Sequence, residues 1–128
     1  MALGGSAGAS ARYWLSRELP VSAGTFPTTT LVVNVAGAFL LGLLVEIVAK
    51  HEERAAWARH LVGVGMLGAF TTFSTFSSEV VLLGRDGHTS TAIAYVAASA
   101  ALGVAAAASG LLAGGWRPVW PVPDEGES

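Results

Sequence analysis

Three stretches of this chain carry no charged or histidine side chain: residues 19–45, 61–78 and 89–116, which are 27, 18 and 28 residues long. About 20 apolar residues cross a bilayer as a helix, so each stretch is read as a membrane span, over 28–49, 61–83 and 90–113. The segment from Met1 to Leu19 is read as a fourth. Arg12 interrupts it, and Gly4, Gly5 and Gly8 lower its helix propensity. Reading it instead as a secretory signal cleaved at Ala9-Ser10-Ala11 fails for want of a basic leading segment and a solid apolar run. It begins abruptly, as though the first turn of its helix were missing.

Composition agrees with a multi-pass membrane protein. The 128 residues suit one domain, and 52% are hydrophobic with only 12% charged, about half the charge of an ordinary soluble domain. Seven Lys and Arg against nine Asp and Glu offer no basic face for phosphates, so nucleic acid is not an expected partner. The absence of Cys removes disulfides, thiol nucleophiles and thiolate metal sites. The three His lie in two loops with no metal-ligand spacing, and no nucleophile has a recognisable setting, so the chain is not read as an enzyme.

The expected connections are short: Pro20 to Pro27, Lys50 to His60, and Gly84 to Thr89. The second reads as a solvated, interfacial helical linker. Residues 1–115 form the expected four-helix domain, and 116–128, with Pro118, Pro121, Pro123, Asp124, Glu125 and Glu127, a disordered Pro-rich acidic tail. Trp14, Trp57, Trp116 and Trp120 fall near span ends and read as headgroup anchors. With four spans the termini share a side, which holds Lys50, Arg54, Arg59 and Arg117 against Arg17 and Arg85 opposite. Four against two favours termini inside, and the small bias leaves open insertion in both orientations or a paralogue of opposing bias.

The third span is unusual. In Gly63-Val-Gly-Met-Leu-Gly-Ala-Phe-Thr-Thr-Phe-Ser-Thr-Phe-Ser-Ser-Glu79, six of the eight residues from Thr71 to Ser78 bear hydroxyls. Ser and Thr compete for backbone hydrogen bonds, and three glycines precede them, so the helix is expected to break between Gly68 and Thr72. Exposed backbone at that depth survives where protein or a polar cavity satisfies it, as in discontinuous transport helices, and marks an ion site. The competing reading is that small residues serve close helix packing.

Phe70, Phe73 and Phe76 project from one helical face. Such a stripe serves lipid contact or core packing, or, with hydroxyls beside it, presents positive ring edges to a small anion at weak, repeated sites that favour conduction. Thr30 and Asn34 share a face of the second span, as do Thr91, Tyr95, Ser99 and Gly103 of the fourth, and together they would form one donor-lined track. Interhelical bonding for Asn34 and Thr30 and simple packing for Tyr95 are the alternatives. Arg12 and Glu79 are the clearest ionisable residues inside the membrane, and with Glu46 they are expected to find partners or water. Arg12 either concentrates anions in a vestibule or ties down a helix end.

These motifs resemble the small fluoride channels, the Fluc or CrcB family. Gly4-Gly-Ser-Ala-Gly-Ala-Ser-Ala-Arg12-Tyr13 is similar to the family's first-helix signature, Gly24-Thr-Phe-Pro-Thr-Thr-Thr-Leu-Val-Val-Asn34-Val-Ala-Gly37 to its second, and Gly68-Ala-Phe-Thr-Thr-Phe-Ser-Thr-Phe76 with Glu79 to its third. The resemblance runs over about residues 4 to 103. It implies an all-α membrane protein of four transmembrane helices, the third broken, assembled as an antiparallel dual-topology dimer with two narrow pores that passively export fluoride from the cytoplasm, in the inner (plasma) membrane.

The same resemblance implies that Phe73 and Phe76 contact fluoride by their ring edges, that Asn34 donates to the ion, and that Ser74, Thr75 and Thr30 line the path, with Tyr95 and Ser99 continuing it. Gly68 and Thr71 match positions whose backbone carbonyls hold a central structural sodium ion, two copies giving four oxygens for a hard cation. Gly103 departs from the pattern, standing where members often carry another hydroxyl. Alternatives are a dual-topology small multidrug transporter, which would want a carboxylate in the first span where this chain has Arg12, and a nonconducting subunit of a paralogue heterodimer.

Overall fold

A computed structural model describes residues 2–18, 22–50, 68 and 71–117. They form four helices: α1 (Ala2–Glu18), α2 (Thr28–Ala49), α3 (Phe73–Arg85) and α4 (Thr89–Ala113). No strand occurs among the described residues.

Helices α2 and α4 are the expected second and fourth spans. At 22 and 25 residues they are about 33 and 37 Å long, enough for a hydrocarbon core of about 30 Å. Only 17% of the most apolar window of α2 and 6% of that of α4 are buried. A core helix of a water-soluble protein hides its apolar residues, whereas here Val32, Leu40, Val45, Ile93, Leu102 and Val104 point outward, as a lipid solvent allows. Helix α1 is shorter, with 17 residues, and ends two residues before Pro20, which disfavours a helical neighbour. Its Ser6 and Ser16 hydroxyls donate back to the carbonyls of Ala2 (2.9 Å) and Arg12 (2.8 Å), which satisfies them within the helix.

The two long helices run parallel. At one end Gly24 lies under the His88 ring; at the other, the Lys50 ammonium donates to the Gly114 carbonyl and pairs with Glu46 at 3.5 Å. Parallel neighbours require the chain to return across the bundle between them, and α3, 13 residues long, makes part of that return. Gly87, at φ +83°, turns the chain from α3 into α4. Between α2 and α4 the backbones nearly touch. A Cβ on Gly110 would sit 2.1 Å from the Phe39 carbonyl oxygen, and one on Gly42 would sit 2.3 Å from that of Ala107. Only glycine fits either position. Leu83, Ala92 and Tyr95 form the buried centre at the α3–α4 end, with Phe26, Leu31, Phe76 and Val80 packed on it.

Several expectations fall outside the described residues: the linker beyond Lys50, the tail from Pro118, residues 61–67 of the third span, Phe70, Trp57 and Trp120. Trp14 and Trp116 are exposed. Within the third span, Gly68 is helical, Thr71 lies in a bend, and Thr72 is extended at φ −146° and ψ 116° immediately before α3.

Candidate functional site

The site is organised around Thr72, the N-cap of α3. Its hydroxyl accepts the backbone N–H of Thr75 at 3.1 Å, which satisfies one of the amides that a helix start leaves bare. The same hydroxyl donates to Thr75 Oγ1 at 3.2 Å and lies 3.0 Å from Ser74 Oγ. From α2, 38 positions earlier, the Asn34 side chain straddles the Thr72 peptide: the Thr72 N–H donates to Asn34 Oδ1 at 3.0 Å, and Asn34 Nδ2 reaches the Thr72 carbonyl at a longer 3.4 Å. An amide is suited to this because it offers an acceptor and a donor side by side. Asn34 thus fixes the extended residue from which α3 departs.

Two cavities meet there. The larger, about 600 Å³, is lined by Asn34, Gly37, Ala38, Leu41, Gly68, Thr71, Thr72, Phe73, Phe76, Val96, Ser99 and Ala100. Its walls are mostly apolar, and the described residues bring no charged side chain to them. Phe73 and Phe76 stand with ring centroids 5.9 Å apart and planes tilted by 37°; Phe73, on the rim, is 80% exposed. Ser99 Oγ is buried in this region with no hydrogen-bond partner among the described residues. A buried hydroxyl left without a partner is uncommon and is a donor available to a guest. Two phenyl rings, an amide and this hydroxyl thus border one cavity, and groups of this kind can make weak contacts with a small anion.

The smaller cavity, about 360 Å³, is lined by Arg12, Tyr13, Ser16, Thr29, Thr30, Val33, Thr72, Ser74 and Thr75. It joins one guanidinium from α1 to a set of hydroxyls from α2 and α3. Arg12 has no carboxylate partner among the described residues, so the wall of this cavity is positive.

Glu79 lies behind both. Thr30 Oγ1 donates to its Oε1 and Tyr95 O–H to its Oε2, each at 2.7 Å, and Glu79 is on neither lining. Tyr95 is fully buried and is held by Phe26 edge-on at 5.4 Å and by Phe76 at 5.1 Å. A carboxylate that accepts a hydroxyl proton on each oxygen and is set back from the described cavity walls repels an anion less than a bare one at the wall.

The expected single donor-lined track is therefore divided. Asn34 and Ser99 belong to the large cavity, Thr30, Ser74 and Thr75 to the small one, and Tyr95 lines neither because its hydroxyl is committed to Glu79. Gly103 faces open space on α4. Gly68, in helical conformation, and Thr71, in a bend, both line the large cavity. Thr72 was not singled out by the sequence, although a hydroxyl residue directly before a helical stretch is the usual N-cap signal.

Comparison with known proteins places this arrangement. Residues 1–111 match the family described as "CrcB-like protein, Camphor Resistance (CrcB)". The chain is 44% identical over 106 residues to a protein of Saccharophagus degradans named fluoride-specific ion channel FluC, covering 83% of this chain and 80% of that one. A protein of the same name from Chelativorans sp. is 46% identical over 110 residues, covering 85% and 88%. One from Cereibacter sphaeroides is 42% identical over 118 residues, covering 91% and 93%.

Proposed function

We propose, since the chain belongs to the CrcB-like family, that it is a fluoride-specific ion channel of the membrane whose conducting site is the uncharged cavity bounded by Phe73, Phe76, Asn34 and Ser99. The observation that carries this reading is that cavity: two phenyl rings beside a buried hydroxyl with no hydrogen-bond partner among the described residues. Fluoride is small and strongly hydrated, so a path that admits it must replace lost water with close donors while avoiding a fixed cation that would trap it. The ring edges and neutral donors meet both demands. Arg12, in the neighbouring cavity, raises local anion concentration without sitting on the rings. The chain acts by passive transport and performs no enzymatic chemistry.

The wider assembly belongs to the same proposal. The functional unit is an antiparallel homodimer, with a paralogue heterodimer as the variant form, inserted in both orientations in the inner (plasma) membrane and surrounded by lipid. It carries two pores that let fluoride leave the cytoplasm and so confers fluoride resistance. The 80% exposure of Phe73 and the open rim of the large cavity support a second copy as the missing wall. In this reading the third helix is broken at Thr71 and Thr72, and the Gly68 and Thr71 carbonyls of the two protomers would hold one sodium ion. An ion held there would supply a fixed positive charge to the oxygens of both protomers. A small multidrug transporter finds less support, because α1 carries Arg12 where proton-coupled cation exchange wants a carboxylate.

The test is fluoride efflux from liposomes containing this chain purified alone, followed with a fluoride electrode. Release well above that of empty vesicles, with chloride retained, is expected. Correctly folded dimer that releases fluoride no faster than bare lipid refutes the channel, and flux only after mixing with a paralogue assigns the heterodimer.

A further inference from the structure

Among the described residues, Thr72 alone is on the linings of both cavities. Everything that defines the boundary between them converges on it. Its hydroxyl contacts Ser74 and Thr75, which line the cavity of Arg12, while its peptide is clasped by Asn34, which lines the cavity of the rings. The residue is buried, at 8% exposure, so its position is set by these partners and not by solvent.

We propose that Thr72 is a specificity-determining residue of the conduction path, the junction through which an anion passes between the Arg12 cavity and the ring cavity, and that Asn34 acts on the ion chiefly as a positioning residue, by holding the Thr72 peptide extended. The inference rests on the channel reading above. The physical argument is one of continuity. An anion leaving the guanidinium and hydroxyls of the smaller cavity enters a space with no charged wall, and the loss of water is tolerable only where donors line both sides of the step. The hydroxyls of Ser74, Thr72 and Thr75 form a contiguous hydrogen-bonded row at that step, whose protons must reorient to meet an anion. With Asn34 bonded to the N–H of Thr72 and reaching its C=O, the two peptide units that flank Thr72 are both tethered, which opposes turning the carbonyl toward an anion.

A helix cap alone would also make Thr72 matter, and the two roles separate by substitution. Ser, Asn and Asp cap a helix at least as well as Thr. Thr72→Ser keeps both the cap and the hydroxyl; Thr72→Asn keeps the cap and replaces the hydroxyl with a larger amide; Thr72→Asp keeps the cap and sets an acceptor with negative charge at the step. Each variant is to be purified, checked for folding by gel filtration and circular dichroism, and assayed for fluoride and chloride efflux beside the unaltered chain. Thr72→Ser is expected to conduct near the parent rate. Folded Thr72→Asp and Thr72→Asn are expected to be slower by at least about tenfold, the effect of one hydrogen bond on a barrier. Parent rates in folded Thr72→Asn or Thr72→Asp would overturn the junction and leave Thr72 a cap. Should Thr72→Asp not fold, Thr72→Asn decides alone. Failure of the unaltered chain to conduct would instead remove the channel reading on which the junction depends.

Discussion

Replacing Gly110 with Ala tests whether α2 and α4 are held together by backbone contact. The added Cβ would lie 2.1 Å from the Phe39 carbonyl oxygen and 2.8 Å from the Leu43 nitrogen. A carbon and a carbonyl oxygen tolerate about 3.3 Å, so the helices must part locally by about 1.2 Å, or tilt by an equivalent amount. Backbone cannot swing aside as the end of a side chain can. Forcing extra volume into such a contact costs about 1 to 3 kcal/mol, and parting the helices also loosens the packing along the rest of the seam. Gly42→Ala meets the Ala107 carbonyl oxygen at 2.3 Å and should cost a similar amount. The double variant should cost less than the two together, because helices already separated for one methyl group have room for the other. Gly103→Ala is the control: it lies on the same helix with nothing within 4 Å of the added carbon, and should be neutral or slightly stabilising. The assay is thermal unfolding in detergent, read by circular dichroism, where 1 kcal/mol corresponds to roughly 4 °C for a chain of this size. If Gly110→Ala melts with the parent chain, or Gly103→Ala falls as far, the seam is not held by glycine contact and the reasoning is wrong.

Three further outcomes follow from the site. Tyr95→Phe keeps the ring packing and removes one donor to Glu79, so a double-mutant cycle with Glu79→Gln should return a coupling of about 1 kcal/mol in detergent unfolding, and additivity to within about 0.3 kcal/mol would deny the bond any energetic role. Phe73→Ile should lower fluoride efflux by about tenfold or more with dimer formation intact, since an aliphatic chain has no positive edge to offer; undiminished flux would make the ring ordinary packing. Ser99→Ala breaks no hydrogen bond among the described residues, so its melting temperature should hold or rise while fluoride flux falls; a clear loss of stability would show that the hydroxyl has a structural partner.

Much of the scaffold was legible in the chain and little of the wiring was. The spans read as 28–49 and 90–113 match α2 and α4 to within a residue, although the uncharged run of 19–45 begins nine residues before α2 and stops short of Glu46 inside it, so the match also needs Pro20 to Pro27 read as a loop. Of the hydroxyl-rich segment from Thr71 to Ser78, Thr71 lies in a bend and Thr72 is extended, while Phe73 onward is helical. Helical periodicity, however, reports a face and not what stands opposite it. Thr30 and Asn34 share a face of α2, yet four residues carry a helix about 40° past a full turn, and with α3 starting at Thr72 that rotation is enough to send the two side chains to different cavities. The engagement of Glu79 by Thr30 and Tyr95 joins three helices over separations of 49 and 16 residues. Nothing local to any of the three residues specifies it. The Asn34 clasp has the same character: an amide in an apolar helix announces that a partner exists without saying which.

The Thr72 hydroxyl owns a single hydrogen, and it goes to Thr75. Ser74, 3.0 Å away, must then point its own hydrogen at Thr72, which gives the row a sense of direction from Ser74 toward Thr75. No member can swivel by itself without stranding a neighbouring oxygen. The trio consequently behaves as one polarised wire, and whatever reorients it at either end is felt at the other.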